Sequence, residues 1–435
     1  MTHQLLAILF LIAAVAALIL AETPLGEYFG NKKILLAAEL SLLLLAPALA
    51  GLTVAFHFIG GPRSANAVDP LTGPILFVLC AVPLSILLDR LGFFSLIAAA
   101  VLKKRHDLFV LWMLAATVTA TLNLDTAVVL LTPIYVDIAR KKRLPPLALA
   151  VQPALLSGIA SLFLPISNLT NLIFTSKFNL TEIDFLDHLG ISGILAVLTG
   201  FFFYRITYTK FFKEEIPNGK SVDSTSPTAH TAALTQDPVG PGPVIPENKK
   251  IILLFGSAIC ILAAAGFTFI PLIGGSPWEV ALGADVVLII ATKSFPWRHI
   301  PLRIAVNVFS LAVLASSFEH YVHFKNLLSA NSNLAVVKTG VLSGVFSSLA
   351  NNLPSTLGFA AALGRDKINI LWPVLVGTNI GSLLLPGGSL AIMLWLSTLK
   401  RLDAEVSGMN YIKYAWRIAL PTFLVALGGL LLIRL

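Results

Sequence analysis

The 435 residues are 57% hydrophobic and only 12% charged, where a soluble domain carries about 25% charge. Apolar stretches recur along the whole length, so lipid must solvate them, which excludes a soluble domain with a single anchor. The net charge of +8 does not point to nucleic acid, because Lys and Arg stand in groups at the ends of apolar segments (Lys32–Lys33, Lys103–Arg105, Arg140–Arg143, Lys249–Lys250, Arg298, Lys400–Arg401), as retention of cytoplasmic loops demands.

A span needs about 20 apolar residues. The first candidate is 4–20; it has only His3 ahead of it and no small-residue cleavage site behind, so it reads as a retained span and not as a leader. Spans are then predicted at 34–58 and 72–90. Region 106–174 is apolar but broken by polar and helix-breaking residues, and 187–207 is again a span. Between 209 and 250 Ser, Thr, Pro, Gly and mixed charge lack periodicity, which predicts a loosely ordered cytoplasmic linker. Beyond it come 251–271, 277–293, 303–318, a second interrupted region at 333–398, and 412–433. Cys80 and Cys260 lie in apolar segments and read as small core residues, with no disulfide framework, metal site or cofactor.

With the N-terminus outside and the linker cytoplasmic, 23 of the 30 Lys and Arg fall on or near the cytoplasmic side. The other seven are Arg63, Lys177, Lys325, Lys338, Arg365, Lys367 and Arg434. This scheme turns 106–139 back on the cytoplasmic side and 333–363 back on the outside. An internal repeat supports it: residues 161–169 (SLFLPISNL) align without gaps on 382–390 (SLLLPGGSL). The expected fold is therefore an all-α polytopic membrane protein of two inverted repeats, 1–208 and 251–435, joined by the 209–250 linker. It has about ten spans, two re-entrant hairpins and two broken helices, a recurring plan of secondary transporters.

Polar backbone in hydrocarbon is tolerated only where protein or a water-filled cavity surrounds it. Four interruptions, at 121–126, 165–171, 351–356 and 386–389, are thus expected to wall one site. A lone Asn, Ser or Thr before a helix is an ordinary N-cap; four breaks in two matched pairs argue for a ligand. The substrate-binding candidates are Asn123, Thr126, Ser167, Asn168, Asn171, Asn351, Asn352, Ser355, Thr356, Gly387, Gly388 and Ser389. Asp125 is the sharpest coupling candidate, since an ionisable group within a span is costly and functional by default; Asp285 and Glu39 are weaker ones. His320 and His323 read as solvated, and the sequons at Asn168 and Asn179 as chance patterns. No Walker loop, metalloprotease motif or nucleophile elbow is present, so no enzymatic activity is expected, and energy from ATP would need another subunit.

At these same residues the chain resembles the arsenite permease (arsenical pump membrane protein) family within the ion transporter superfamily, from about Ile86 to the C-terminus. The resemblance rests on Ala160–Ile173 (ASLFLPISNLTNLI), on Gly388–Ala391 with Leu394–Leu396, on Asn351–Ser355 (NNLPS) and on Leu131–Ile134 (LTPI). The family's usual Asn-Asp-Gly tip stands here as Asn123, Leu124, Asp125 and Thr126. Its Asp-Leu-Gly-Pro-Lys stands as Asn379, Ile380, Gly381, Ser382 and Leu383, so the resemblance makes Asn379, at the position of that family's Asp, a further coupling candidate.

The resemblance implies efflux of arsenite or antimonite in exchange for protons, with neutral trihydroxy arsenic bound by the amides and hydroxyls above and Asp125 carrying the proton. Na⁺-coupled transport of a small carboxylate or inorganic oxyanion is the alternative, with Na⁺ as coupling ion, and a Na⁺/H⁺ antiporter is the third. The expected setting is a bacterial-type inner membrane. The partners to consider are a small inorganic solute or anion, the lipid bilayer, a second copy of the chain and an ATPase subunit, and not nucleic acid.

Overall fold

The computed structural model describes residues 2–22, 32–55, 69–93, 96, 108–213, 249–297, 300–322, 328, 332–364 and 368–433. Among them are sixteen α-helices and no strand. Several sequence-based readings lie outside the described residues: the linker from 214 to 248, Arg63, Phe94, Lys103–Arg105, Arg298, His323, Lys325, Arg365, Lys367, Arg434, and the side chains of Glu39, Thr126 and His320.

The first helices are α1 (Thr2–Glu22), α2 (Lys32–Ala55) and α3 (Thr72–Arg90). A hairpin follows, α4 (Leu108–Leu122) and α5 (Leu124–Lys141), then α6 (Pro146–Ile159), α7 (Leu169–Phe178) and α8 (Glu182–Lys213). The later part of the chain opens with α9 (Lys249–Phe269), α10 (Pro277–Thr292) and α11 (Leu302–Val322). It repeats the order with a hairpin of α12 (Asn333–Ala350) and α13 (Asn352–Ala362), a broken pair α14 (Ile368–Ile380) and α15 (Leu390–Arg401), and a final α16 (Gly408–Ile433).

Five helical stretches among the described residues are long and apolar enough to cross a membrane: Asp69–Arg90, Glu182–Thr209, Lys250–Phe269, Asn333–Ala350 and Gly408–Ile433. Shorter apolar helices such as Leu108–Leu122, Pro146–Leu162 and Ile368–Leu384 pack between them. This is a multi-pass membrane protein. Its longest helix, α8, runs to Lys213, past the expected boundary at 208, because Tyr204 and Tyr208 in its last turns are fully buried. Tyr204 accepts from Gln152 Nε2 (2.7 Å) and donates to the Ala148 carbonyl (2.7 Å). These bonds hold α8 on α6.

The helix pairs meet at small residues, as they must where lipid supplies no hydrophobic drive and contact depends on close packing. Gly340 and Gly344 of α12 face Gly377 of α14 and Gly381 in the turn that follows it, two small-xxx-small stripes in register. Helices α8 and α16 approach at Gly429, where an added Cβ would stand 2.9 Å from Ser192 Cα. Elsewhere α3 packs along α10, and α1, α2 and α11 pack together, with α11 also against α13.

The two parts interlock crosswise. Helix α5 of the first hairpin packs on α15 beyond the second break, and α13 of the second hairpin packs on α7 beyond the first. A basic side chain fastens each pair. The Arg140 guanidinium donates to the Leu402 carbonyl at the end of α15, and the Lys177 ammonium donates to the Ala360 carbonyl near the end of α13. Cations at helix C-termini complement orphan carbonyls and the dipole. Lys177, an exception to the basic-residue pattern, thus has a structural reason for its place.

Candidate functional site

Each hairpin turns on one asparagine. Asn123 (φ 109°, ψ 150°) caps α5, and its side-chain oxygen accepts from the Asp125 N–H at 2.8 Å. Asn351 (φ 73°, ψ 149°) caps α13 and accepts from the Leu353 N–H at 3.2 Å. Both backbones occupy a region that only Gly visits freely. An Asn is tolerated there because its short amide replaces the missing helical bond.

Asn351 also donates through Nδ2 to the Gly387 carbonyl (3.0 Å), tying the second tip to the second break. Asn351→Ala loses the cap, worth about 1 kcal/mol, and keeps the strained φ, worth about 1–3 kcal/mol; Asn351→Gly loses only the side-chain bonds. Thermal melting of the purified protein should therefore rank wild type above Gly above Ala. An alanine variant as stable as the glycine variant would mean that the tip backbone is unstrained.

The breaks are as closely matched as the tips. After α6 come a 3₁₀ turn at Ala160–Leu162, an extended Leu164 (φ −135°, ψ 148°), a 3₁₀ turn at Pro165–Ser167 and an extended Asn168 (φ −149°, ψ 137°). After α14 the same sequence is Gly381–Leu384, Leu385 (φ −128°, ψ 150°), Pro386–Gly388 and Ser389 (φ −142°, ψ 137°). Pro165 and Pro386 open equivalent turns because proline lacks the N–H that a continuing helix needs and suits a first position. Asn168 and Ser389 cap α7 and α15, accepting from Thr170 N–H (3.1 Å) and Ala391 N–H (3.3 Å). Both discontinuities begin earlier than expected, at residues 160 and 381 instead of 165 and 386.

The helices α6 and α14 cross at equivalent positions, Gly158 and Asn379, where a Cβ on Gly158 would run into the Asn379 carbonyl and the Leu383 side chain. Asn379 is buried there between two amides of the first part. Asn168 Nδ2 donates to Asn379 Oδ1 (2.7 Å), and Asn379 Nδ2 donates to Asn171 Oδ1 (2.8 Å) and the Leu375 carbonyl (2.9 Å). Asn171 Nδ2 donates in turn to the Ser161 carbonyl (2.6 Å), which also accepts from Ser167 Oγ (2.8 Å). Tyr411 and Trp416 of α16 satisfy carbonyls of the second break, at Leu383 and Leu384 (2.7 Å each).

The structure therefore brings Ser167, Asn168, Asn171 and Asn379 into one network, and Asn351, Gly387 and Gly388 into contact around the second break. Asn352, Ser355 and Thr356 are buried in the first turns of α13, which packs on α7. Asp125 is half-buried in the first turn of α5, beside the tip. Asp285 is placed elsewhere: it is buried on α10, which packs on α3 and α9, with Oδ1 lacking a hydrogen-bond partner among the described residues.

Sequence reasoning passed over several polar groups of this region. Thr170 follows the first break, is 1% exposed, and has no partner for its hydroxyl among the described residues. Ser355 and Thr356, which the sequence reading names, likewise have no hydroxyl partner among the described residues, nor do Thr119 and Ser347, which it does not. The last two stand four residues before the two tip asparagines, a repeated spacing that the sequence does contain. A buried hydroxyl without a partner costs about 1–3 kcal/mol, a cost that any bonding partner would offset. No Lys or Arg stands in any of the four breaks, and Asp125 is their one charged residue. The half-helices α7 and α15, capped by Asn168 and Ser389, carry a partial positive charge at their N-termini.

A family model described as a citrate transporter (CitMHS) matches residues 5–362 of this chain. A relative in Bacillus subtilis (strain 168) that bears the arsenical pump membrane protein name is 27% identical over 389 residues, covering 79% of this chain and 83% of its own. The arsenical pump membrane protein of Yersinia enterocolitica is 25% identical over 414 residues, covering 88% and 91%. Another, from Escherichia coli, is 24% identical over 404 residues, covering 86% and 89%. Among solved structures, the YdaH transporter of Alcanivorax borkumensis, whose crystal structure is described as having an unusual topology, superposes with a TM-score of 0.52 at 14% identity, over 84% of this chain and 86% of that one. At that identity the likeness is one of fold.

Proposed function

Because this chain belongs to the CitMHS citrate-transporter family, within which it is a membrane transporter, we propose that its specific activity is efflux of arsenite or antimonite in exchange for protons. The observation that carries this reading is the chemistry of the four breaks: amides and unpartnered buried hydroxyls, with no Lys or Arg. A neutral trihydroxy solute offers three donors and three acceptors and no charge to desolvate, which suits such walls. The shared name of the curated relatives supports the same substrate class.

In this reading Thr170, Ser355 and Thr356, on the packed helices α7 and α13, contact the solute directly, with Asn123, Asn352 and Ser389 as further contacts. Asp125 carries the coupling proton. The protein sits in a bacterial-type inner membrane as two inverted repeats, with the linker cytoplasmic.

A second reading rests on the helix N-termini and on the family's name: the positive ends of the α7 and α15 dipoles would favour a carboxylate, with Na⁺ as the coupling ion. Purified protein in proteoliposomes separates the two. The expected result is arsenite counterflow, and arsenite accumulation driven by a pH gradient without Na⁺. Citrate movement that requires Na⁺, with no arsenite movement, would replace the first reading by the second.

A further inference from the structure

The carboxamide of Asn379 is used at both ends. Its oxygen accepts from Asn168, its nitrogen donates to Asn171 and to the Leu375 carbonyl, and its residue is 1% exposed. Neither partner can turn freely. Asn168 spends its oxygen on the N-cap bond to Thr170, and Asn171 spends its nitrogen on the Ser161 carbonyl. The position thus uses one acceptor and two N–H donors at once, on a side chain of this length. It lies where the two broken helices cross, and Gly158 makes that approach close enough.

We propose that Asn379 is a positioning residue: by bridging Asn168 and Asn171 it sets the register of the first broken helix against the second, and so places the N-terminus of α7 at the solute site. It touches the solute's neighbours and not the solute. An amide neither takes up nor releases a proton here, so the cross-link holds regardless of pH, and proton coupling must act through another residue. The effect on transport rests on the transport reading above; the cross-link itself does not.

Asn379→Asp supplies the discriminating test. An ionised carboxylate can accept from Asn168 but cannot donate to Asn171 or Leu375, and two oxygens then face each other. Once protonated, the acid again accepts from Asn168 and offers one O–H in nearly the same shape, enough for the bond to Asn171 though not for the one to Leu375 as well. Full-length Asn379→Asp and Asn379→Leu variants are compared with wild type by thermal melting in detergent and by arsenite counterflow at equal pH on both sides.

Asn379→Asp should melt lower than wild type at neutral pH and approach it in acidified medium. Its counterflow should fall about tenfold, the equivalent of one such bond, and recover in step. Asn379→Leu should show no recovery at any pH. Acid recovery of melting with no arsenite counterflow even in wild type would support the cross-link and sink the arsenite reading alone. The proposal is overturned if Asn379→Asp behaves as wild type at neutral pH, or if a folded Asn379→Leu exchanges arsenite at the wild-type rate.

Discussion

Gly377→Ala should leave little correctly folded protein, although it adds a single methyl group. An ideal Cβ at this position would run into Ser343 Oγ and would stand 2.6 Å from the Gly340 carbonyl oxygen and 2.7 Å from the Gly344 nitrogen. The last two are backbone atoms of α12, so no rotamer change makes room. Overpacking of a tight core typically costs about 1–3 kcal/mol, and here the strain falls where two glycine stripes hold the second hairpin to the second broken helix. The two helices must separate, which also pulls Ser348 Oγ from the Gly381 carbonyl (2.7 Å). Gly428→Ala is the matched control: it lies in α16 with nothing within 4 Å of the added carbon, and Ala favours a helix over Gly by about 1 kcal/mol. Size-exclusion profiles and melting in detergent read both variants. Equal behaviour of the two would mean that α12 and α14 are not packed backbone to backbone.

This seam shows what a single sequence reveals and what it conceals. The spacing of Gly340 with Gly344, and of Gly377 with Gly381, is visible in the chain, but nothing local says that these two stripes face each other. The polar tips are legible because Asn123 and Asn351 interrupt apolar stretches that hydrocarbon would otherwise tolerate, and the structure turns the chain at both. The matched prolines are legible for the same reason, and Pro165 and Pro386 do open equivalent turns. The onset of each break was misplaced by five residues, because Ala160–Leu162 and Gly381–Leu384 contain no proline and tighten into 3₁₀ turns through tertiary contacts. Asn379 read as a candidate for coupling through the family resemblance, at the position of that family's Asp; its bonded partners Asn168 and Asn171 lie more than 200 residues away in sequence. The place of Asp285 in the 277–293 span was legible. Its neighbours were not, since helical periodicity gives a residue's face and not the helix that meets it.

Asp125→Asn should abolish accumulation driven by a pH gradient while leaving solute exchange in place. Asp125 is the one charged residue in the four breaks, and it sits in the first turn of α5, where the helix dipole favours a negative charge. Asparagine keeps the shape and the backbone bond from the residue-125 N–H to Asn123 Oδ1, so the tip should still form. If one proton moves per solute through this carboxyl, a gradient of one pH unit supports about tenfold accumulation, since about 1.4 kcal/mol is a factor of ten. The variant should equilibrate arsenite to a ratio near one, whereas counterflow, which needs no net proton movement, should persist. Asp285→Asn is the informative companion, because its carboxyl is buried on α10 against α3 and away from both tips. Loss of the gradient-driven ratio in Asp285→Asn, with Asp125→Asn unaffected, would move proton coupling out of the four breaks and into the α3–α10 interface. Loss in Asp125→Asn alone would keep proton coupling at the tip of the first hairpin, in the first turn of α5.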